Sequence, residues 1–550
     1  MSRAYHIWTI GCQMNEADSL NLAARLEQLG YRPTGHARDA DLIVVNTCVV
    51  RQQAEDKAYA RLRHLREVKR RRPSATLAVM GCLVGTPPDP ALSKQLPFVD
   101  VFLPPSDPSP LIEHLEERRD GSLRDAIQDG EMAAPPAEPT AAVSAYVPVV
   151  LGCSHACSFC VIPYRRGAER SRAKAEILEE IRRLAGQGVR EVTLLGQIVD
   201  RYGLDLRDGS SLSCLLREAA AVDGILRVRF LTSHPSWLSD ELLETVASSD
   251  RICPCIEVPC QSGNDEVLAR MKRGYTVDDY RRVIARIRSA IPDVAIHSDV
   301  IVGFPGETRE QFMDTHRLLA GLQLDMLRTA RYSERPQTLA ARRYPDDVPP
   351  EEKERRWSLI EQLLSDTLER KHRALLGRRV EVLVEERARN GRWRGRTPGT
   401  TGVLRERGRL ERAVGGRSPY LDRTILADRR GRGATVNDPP RKERLPLMLS
   451  AFVYPGAGQF AQKRWIPGAV FTVSFTFCFG LVLLNVFRPM ADNLRVSLDF
   501  ADGMSDESFE RVSASGVLVP LAAALLLYVV SIVDVSRART RRPPPSPPSG

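Results

Sequence analysis

Cys153, Cys157 and Cys160 fall in the run Gly152-Cys-Ser-His-Ala-Cys-Ser-Phe-Cys160, and three thiols spaced this closely constrain the fold more than any other feature of the chain. Ser154, His155, Ser158 and Phe159 between them make no periodic apolar face, so the run reads as a ligand-bearing loop and not as a stretch of buried core. Thiolates are the ordinary protein ligands of iron-sulfur clusters. Three of them can hold a four-iron cube and leave one iron open to a substrate or cofactor. Zinc is the weaker reading, because no further Cys or His stands nearby at finger-like spacing.

A second trio emerges from the rhythm of the first part of the chain. Apolar strands over residues 5–10, 41–45 and 76–80 alternate with helical segments over 17–29 and 52–68, which predicts a parallel α/β sheet. Each strand runs out into a cysteine: Cys12, Cys48 and Cys82. The carboxyl ends of neighbouring parallel strands line one crevice, so thiols distant in sequence can meet there. Gly11 and Gly81, directly before two of them, would let the backbone approach a bulky inorganic cluster.

At 550 residues the chain must divide into several domains. Residues 1–127 form the first and residues 128–145, rich in Ala, Pro and Glu, a linker. Over residues 146–376 about six strand-helix units follow one another, which predicts a partial (β/α)6 barrel with its active site at the strand carboxyl ends. Residues 377–440 open with alternating valines and then become rich in Arg and Gly, which predicts a small basic β-barrel. In 441–550, apolar runs over 466–487 and 516–533 are each near the length needed to cross a bilayer. Arg and Lys flank the pair, acidic residues fill the segment between, and both ends are predicted to face the cytoplasm. The tail from Pro543 reads as disordered. Eleven cysteines, an odd number, with no secretory signal at the start of the chain, favour a reducing cytosol and metal ligation over disulfides. The net charge of +10 fits a polyanionic partner.

With both trios in place the chain resembles the radical SAM methylthiotransferases, in which SAM is S-adenosyl-L-methionine. The carriers are Gly11-Cys-Gln-Met-Asn-Glu16, Asn46-Thr-Cys48 with Arg51, Gly81-Cys82, the Cys153 triplet with Arg166-Gly167, Leu194-Leu-Gly-Gln197, Thr232-Ser-His-Pro235, Gln261-Ser-Gly263, Met271-Lys-Arg-Gly-Tyr-Thr276 and Ser298-Asp-Val-Ile-Val-Gly-Phe-Pro-Gly306. Together they span roughly residues 5–376. The resemblance implies two 4Fe-4S clusters: a SAM-binding one on Cys153, Cys157 and Cys160, and an auxiliary, sulfur-donating one on Cys12, Cys48 and Cys82. It implies two SAM molecules, one reduced to a radical and one giving a methyl group, and an electron donor of flavodoxin or ferredoxin type.

Within the family, the Thr232 and Gln261 stretches look like the branch that methylthiolates C2 of N6-isopentenyladenosine beside the anticodon of tRNA. Other branches act on threonylcarbamoyl-adenosine or on a ribosomal-protein aspartate, and a membrane-tethered non-catalytic iron-sulfur protein is the non-enzymatic alternative. Gly196 and Gln197 are candidates for the methionine end of SAM, while Ser298, Asp299 and Gly303 are candidates for its ribose and adenine. In the TRAM-like segment, Arg392, Trp393, Arg394 and Arg396 combine cations with an aromatic face, suited to phosphates and an unstacked base. Cys253, Cys255 and Cys260 are additional thiols, expected to be buried bystanders. The membrane hairpin departs from the family, whose members are soluble. It would tether cytoplasmic catalytic domains to the inner membrane.

Overall fold

The computed structural model describes residues 3–117, 142–375, 378–387, 393–399, 402–405, 421–425, 464–501 and 514–540. The chain forms two compact units, Met1–Val436 and Asn437–Gly550. Most of the expected linker, Arg392 and the tail from Pro543 lie outside the described residues.

The amino-terminal sheet is parallel and built from β1 (Ala4–Thr9), β2 (Arg32–Pro33), β3 (Leu42–Thr47), β4 (Thr76–Gly81) and β5 (Val101–Leu103), in the order β2-β1-β3-β4-β5. Every residue of β3 and β4 is buried, as expected of strands covered on both faces. Helix α1 (Gln13–Gln28) sets Leu22 and Leu26 against Leu42, Val44, Ala78 and Met80 on one face. Helix α2 (Gln52–Arg71) sets Leu62 and Leu65 against Ile43, Val45, Leu77 and Val79 on the other. Each such leucine contributes about 2 kcal/mol of burial. The direction of winding reverses between β1 and β3, and in a sheet of this order the ligand crevice opens at that switch. Helix α1 starts at Gln13, ahead of the expected residue 17, because Cys12 takes the capping position and its carbonyl accepts from the Asn15 and Glu16 amides.

In the central domain β6 (Ser144–Pro148), β9 (Glu191–Leu195) and β10 (Arg227–Phe230) pair in parallel, and so do β11 (Cys255–Glu257), β12 (Ala295–Val302) and β13 (Met326–Arg331). A parallel bridge between Val228 and Ile252 joins the two sets, giving six strands in chain order. Alternate residues such as Val192, Leu194, Val228, Ile256 and Val300 pack outward against the helices. The residues between them, including Glu191, Arg229, Glu257 and Asp299, give the barrel a polar interior. Two short strands, β7 (Val150–Leu151) and β8 (Arg170–Ser171), pair antiparallel and clamp the base of the Cys153 loop.

Strands β14 (Arg379–Arg387), β15 (Trp393–Arg396), β16 (Gly402–Arg405) and β17 (Leu421–Ile425) make an antiparallel sheet in the order β16-β15-β14-β17. Among the described residues these four strands form an open sheet, and the rest of the expected barrel lies outside them. The sheet plugs one end of the central barrel: Arg229 donates to the Pro398 and Thr397 carbonyls at 2.6 and 2.9 Å. The second unit holds two helices, Trp465–Ala501 and Ala514–Thr540, and Arg464 pairs with Asp534 at 2.8 Å, which sets the helices antiparallel. The first helix continues through Asp492 and Asp499, where a loop was expected. Trp465–Asn485 is long and apolar enough to cross a membrane, whereas the second apolar stretch, Val517–Ser531, falls short of that length.

Candidate functional site

Cys12, Cys48 and Cys82 follow β1, β3 and β4 and meet at the switch crevice. Cys48 and Cys82 are buried and Cys12 half-buried. Burial pushes the Cys48 thiol up to about 12, and the neighbouring sulfurs of Cys82 and Cys12 add to the shift. Beneath them lies a buried amide pair. Asn15 Nδ2 donates to Asn46 Oδ1 and to the Thr47 carbonyl, both at 2.8 Å, and Asn46 Nδ2 donates to the Asn15 carbonyl and Ser19 Oγ. The Cys12 thiol donates to Asn15 Oδ1 at 3.3 Å. The two glycines serve this pair: a Cβ on Gly11 would meet Asn15 Oδ1 at 2.5 Å, and one on Gly81 would meet Asn46 Oδ1 at 2.6 Å. The close approach they permit is therefore to the chain's own amides.

The Cys153 loop closes the barrel mouth. Gly152 has φ +70°, and a Cβ there would meet the Ala168 carbonyl at 2.2 Å, so only glycine allows the chain to return on itself. Ser158, fully buried, donates through Oγ to the Arg270 carbonyl at 2.7 Å. Cys153 and Cys160 pack with Ile162 and Ile198. Arg273, 5 % exposed, donates from Nη1 to the Cys157 sulfur at 3.0 Å and from Nε to Tyr275 Oη. Burial pushes the Cys160 thiol up to about 12, reinforced by Cys157.

The chemistry of both trios, three thiols with no carboxylate or imidazole among them, suits an iron-sulfur cluster. Among the described residues no three Cys, His, Asp or Glu side chains form a shell tight enough for one metal ion. A four-iron cube takes its thiolates on separate irons and so accepts a wider spread. Each trio also carries a buried cation, Arg166 or Arg273, suited to the negative charge such ligands develop.

The candidate SAM residues divide. Gly196 follows β9, and a Cβ there would press on Val150 and Val199 at 3.0 Å, with half-buried Gln197 beside it. Ser298 and Asp299 lie on opposite faces of β12. The Ser298 hydroxyl is fully buried and already engaged, accepting from the Cys260 amide at 3.0 Å and donating to the Val258 carbonyl at 3.1 Å. Asp299 faces the barrel interior with Glu257, and Arg328 bridges them at 3.4 and 2.6 Å. Gly303 leaves room for Lys353, whose Cγ would lie 2.4 Å from an added Cβ.

Near the same mouth are groups the sequence reading missed. Burial raises the Asp200 carboxyl to about 7; its Oδ2 accepts from the His234 amide and its Oδ1 has no partner. The His234 ring lies 4.5 Å from His155, and burial, then the Arg273 charge, holds its pKa down to about 2. His234 and Arg273 stand in the motifs quoted above. Their roles come from contacts with residues remote in sequence.

Of the candidate RNA contacts, Arg396 is an internal anchor. It pairs with fully buried Glu191 at 2.8 Å and with Glu385. Trp393 is half-buried and Arg394 is exposed. Cys253, Cys255 and Cys260 are buried, and the Cys255 sulfur lies 3.7 Å from His297 Nε2.

The radical SAM superfamily matches residues 147–319, and an uncharacterized protein family, UPF0004, matches residues 4–104. With a three-thiol loop at the mouth of a six-stranded barrel, these matches define a radical SAM enzyme, using 4Fe-4S clusters and SAM. The tRNA-2-methylthio-N(6)-dimethylallyladenosine synthase of Chloroflexus aurantiacus is 44 % identical over 400 residues, covering 72 % of this chain and 84 % of that one. The synthase of the same name from Dehalococcoides mccartyi strain CBDB1 is 44 % identical over 395 residues, covering 72 % and 90 %. The chain belongs to this synthase family. Among solved structures, the radical SAM methyltransferase TsrM of Kitasatospora setae is similar at a TM-score of 0.45 and 18 % identity, covering 62 % of this chain and 77 % of that one.

Proposed function

We propose that this enzyme methylthiolates tRNA at C2 of N6-isopentenyladenosine beside the anticodon, consuming two SAM molecules. The observation that carries the reading is that two separate thiol trios, one at the switch crevice and one at the barrel mouth, occur in one chain of this family. Cys153, Cys157 and Cys160 hold the SAM-binding cluster, and Cys12, Cys48 and Cys82 hold the sulfur-donating one. When bound, the clusters and SAM supply the radical and the sulfur that a C–H bond too weakly acidic for a side-chain base demands.

The chain's own residues bind and orient. The Gly196-Gln197 turn receives the methionine end of SAM, and Ser298, Asp299 and Gly303 line the place for its ribose and adenine. Arg328 bridges Asp299 and Glu257 across the interior, and Arg51 from the amino-terminal domain adds its charge beside Asp299. Arg335, packed against Gln52 at 2.8 Å and against Glu55, holds the two domains together over the barrel mouth. Trp393 and Arg394 contact the RNA. A flavodoxin- or ferredoxin-type protein delivers electrons.

The experiment is mass spectrometry of tRNA nucleosides from a strain lacking the gene and from the same strain complemented with wild-type chain or Cys12→Ala. Loss of the 2-methylthio derivative, restored by wild type alone, supports the reading; its persistence in the deletion strain refutes it. The exposed Val473, Phe477 and Leu484 on the first long helix support a membrane tether. Full-length protein that stays in the soluble fraction after lysis without detergent would overturn the tether.

A further inference from the structure

Arg166 comes from the barrel, in the short helix Ile162–Arg166 that follows Cys160, yet its guanidinium is buried in the amino-terminal domain. Its side chain is 2 % exposed and pairs with Asp18, 3 % exposed, at 3.1 Å. Nη1 donates to Ser106 Oγ at 3.2 Å, and Nε is buried with no partner. A buried N–H left open costs about 1–3 kcal/mol, so an acceptor brought beside Cys82 would be favoured there. The guanidinium also hydrogen-bonds the Cys82 side chain, and with Asp18 and Cys12 close by, its pKa is raised although burial works against it.

We infer that Arg166 is a positioning residue of the auxiliary site: its guanidinium serves the sulfur ligands on Cys82 and Cys12, and ties the segment after one cysteine trio to the sulfurs of the other. The inference rests on the assignment of a cluster to Cys12, Cys48 and Cys82. A fixed cation beside a cluster favours its more negative, reduced form, and hydrogen bonds and local charge are among the levers that set cluster potential. Arg166 would also fix how the auxiliary site sits against the barrel, since the same side chain is anchored at Asp18 on α1.

The test is made in full-length protein carrying Ala at positions 153, 157 and 160, so that only the auxiliary site takes up iron. Its one-electron midpoint is measured by EPR-monitored titration in Asp18→Asn and in the double variant Asp18→Asn/Arg166→Met, so that the two differ by the Arg166 cation alone. The expected result is a fall of at least tenfold in the reduction equilibrium, about 59 mV for one electron. An unchanged midpoint at full iron content overturns the inference. If the double variant takes up no iron, Arg166→Lys, which keeps the charge but loses Nε, decides: a midpoint lower than the parent's supports the inference and an equal one overturns it. A parent that assembles no cluster on Cys12, Cys48 and Cys82 overturns the assignment itself, and with it the inference.

Discussion

Replacing Asn46 by alanine isolates the buried amide pair under the auxiliary cysteines. Asn46 and Asn15 are both fully buried, and the substitution deletes three hydrogen bonds: Asn15 Nδ2 to Asn46 Oδ1, and Asn46 Nδ2 to the Asn15 carbonyl and Ser19 Oγ. The losses are unequal. The Asn15 carbonyl lies within α1, and Ser19 Oγ remains within 2.8 Å of Thr9 Oγ1, so each keeps an alternative. One Asn15 N–H keeps the Thr47 carbonyl, and the other is stranded at about 1–3 kcal/mol, with about 1 kcal/mol for each remaining bond. These sum to about 3–5 kcal/mol, and the lower end, with the alternatives just named retained, corresponds to about a hundredfold in an opening equilibrium. Hydrogen exchange of apoprotein amides in β3 and β4 measures it, because that sheet opens as a local unit, with β12 as internal reference. Protection should fall about a hundredfold in β3 and β4 and stay level in β12. A fall of less than threefold, or an equal fall in β12, would refute the assignment of this pair as the support of the crevice.

Gly152→Ala should abolish iron uptake at the Cys153 loop while leaving the Cys12 site loaded, because its Cβ would drive into the Ala168 and Gly167 carbonyls; separate iron counts in backgrounds lacking either trio check this. Asp200, its pKa raised by burial to about 7, binds its proton more tightly folded than unfolded. Its stabilising contribution is therefore full below about pH 4 and is lost as pH rises toward 7. Asp200→Asn should flatten that segment of the thermal-unfolding profile, and an unchanged slope would contradict it. Arg396→Met, leaving Glu191 without one of its two cations, should cost about 3 kcal/mol or more, read as a lower unfolding temperature. RNA affinity at temperatures where the variant stays folded should match wild type, since Arg396 is spent on Glu191 and Glu385. An altered salt slope of RNA binding with unchanged stability would return it to the interface.

Much of the fold was legible because parallel strands buried on both faces must be nearly continuous apolar runs, and β3 and β4 are. Their cysteines could be placed at a common edge from strand direction alone. Ser298 and Gly303 were harder, because a hydroxyl or a missing side chain is the same signal whether it faces ligand or protein. Here the Ser298 hydroxyl meets the Cys260 amide and the Val258 carbonyl, and Lys353 packs beside Gly303. Charge and a tryptophan three residues away carry no sign of the buried Glu191 that pairs with Arg396. The first long helix outran its apolar stretch because hydropathy marks where a membrane span would end, whereas helical hydrogen bonding continues through polar residues such as Asp492 and Asp499.

The order of residues alone determined that the chain carries two trios of thiols and that each would sit on a turn at the end of strands, since thiol spacing and apolar period are local properties. Only the tertiary structure decided that Arg166 should leave its own domain to lie beside Cys82, that Asn15 and Asn46 should meet, and that Arg273 should reach Cys157. Those contacts join segments far apart in the chain, and the burial that gives them their strength exists only once the sheet and the barrel have closed around them.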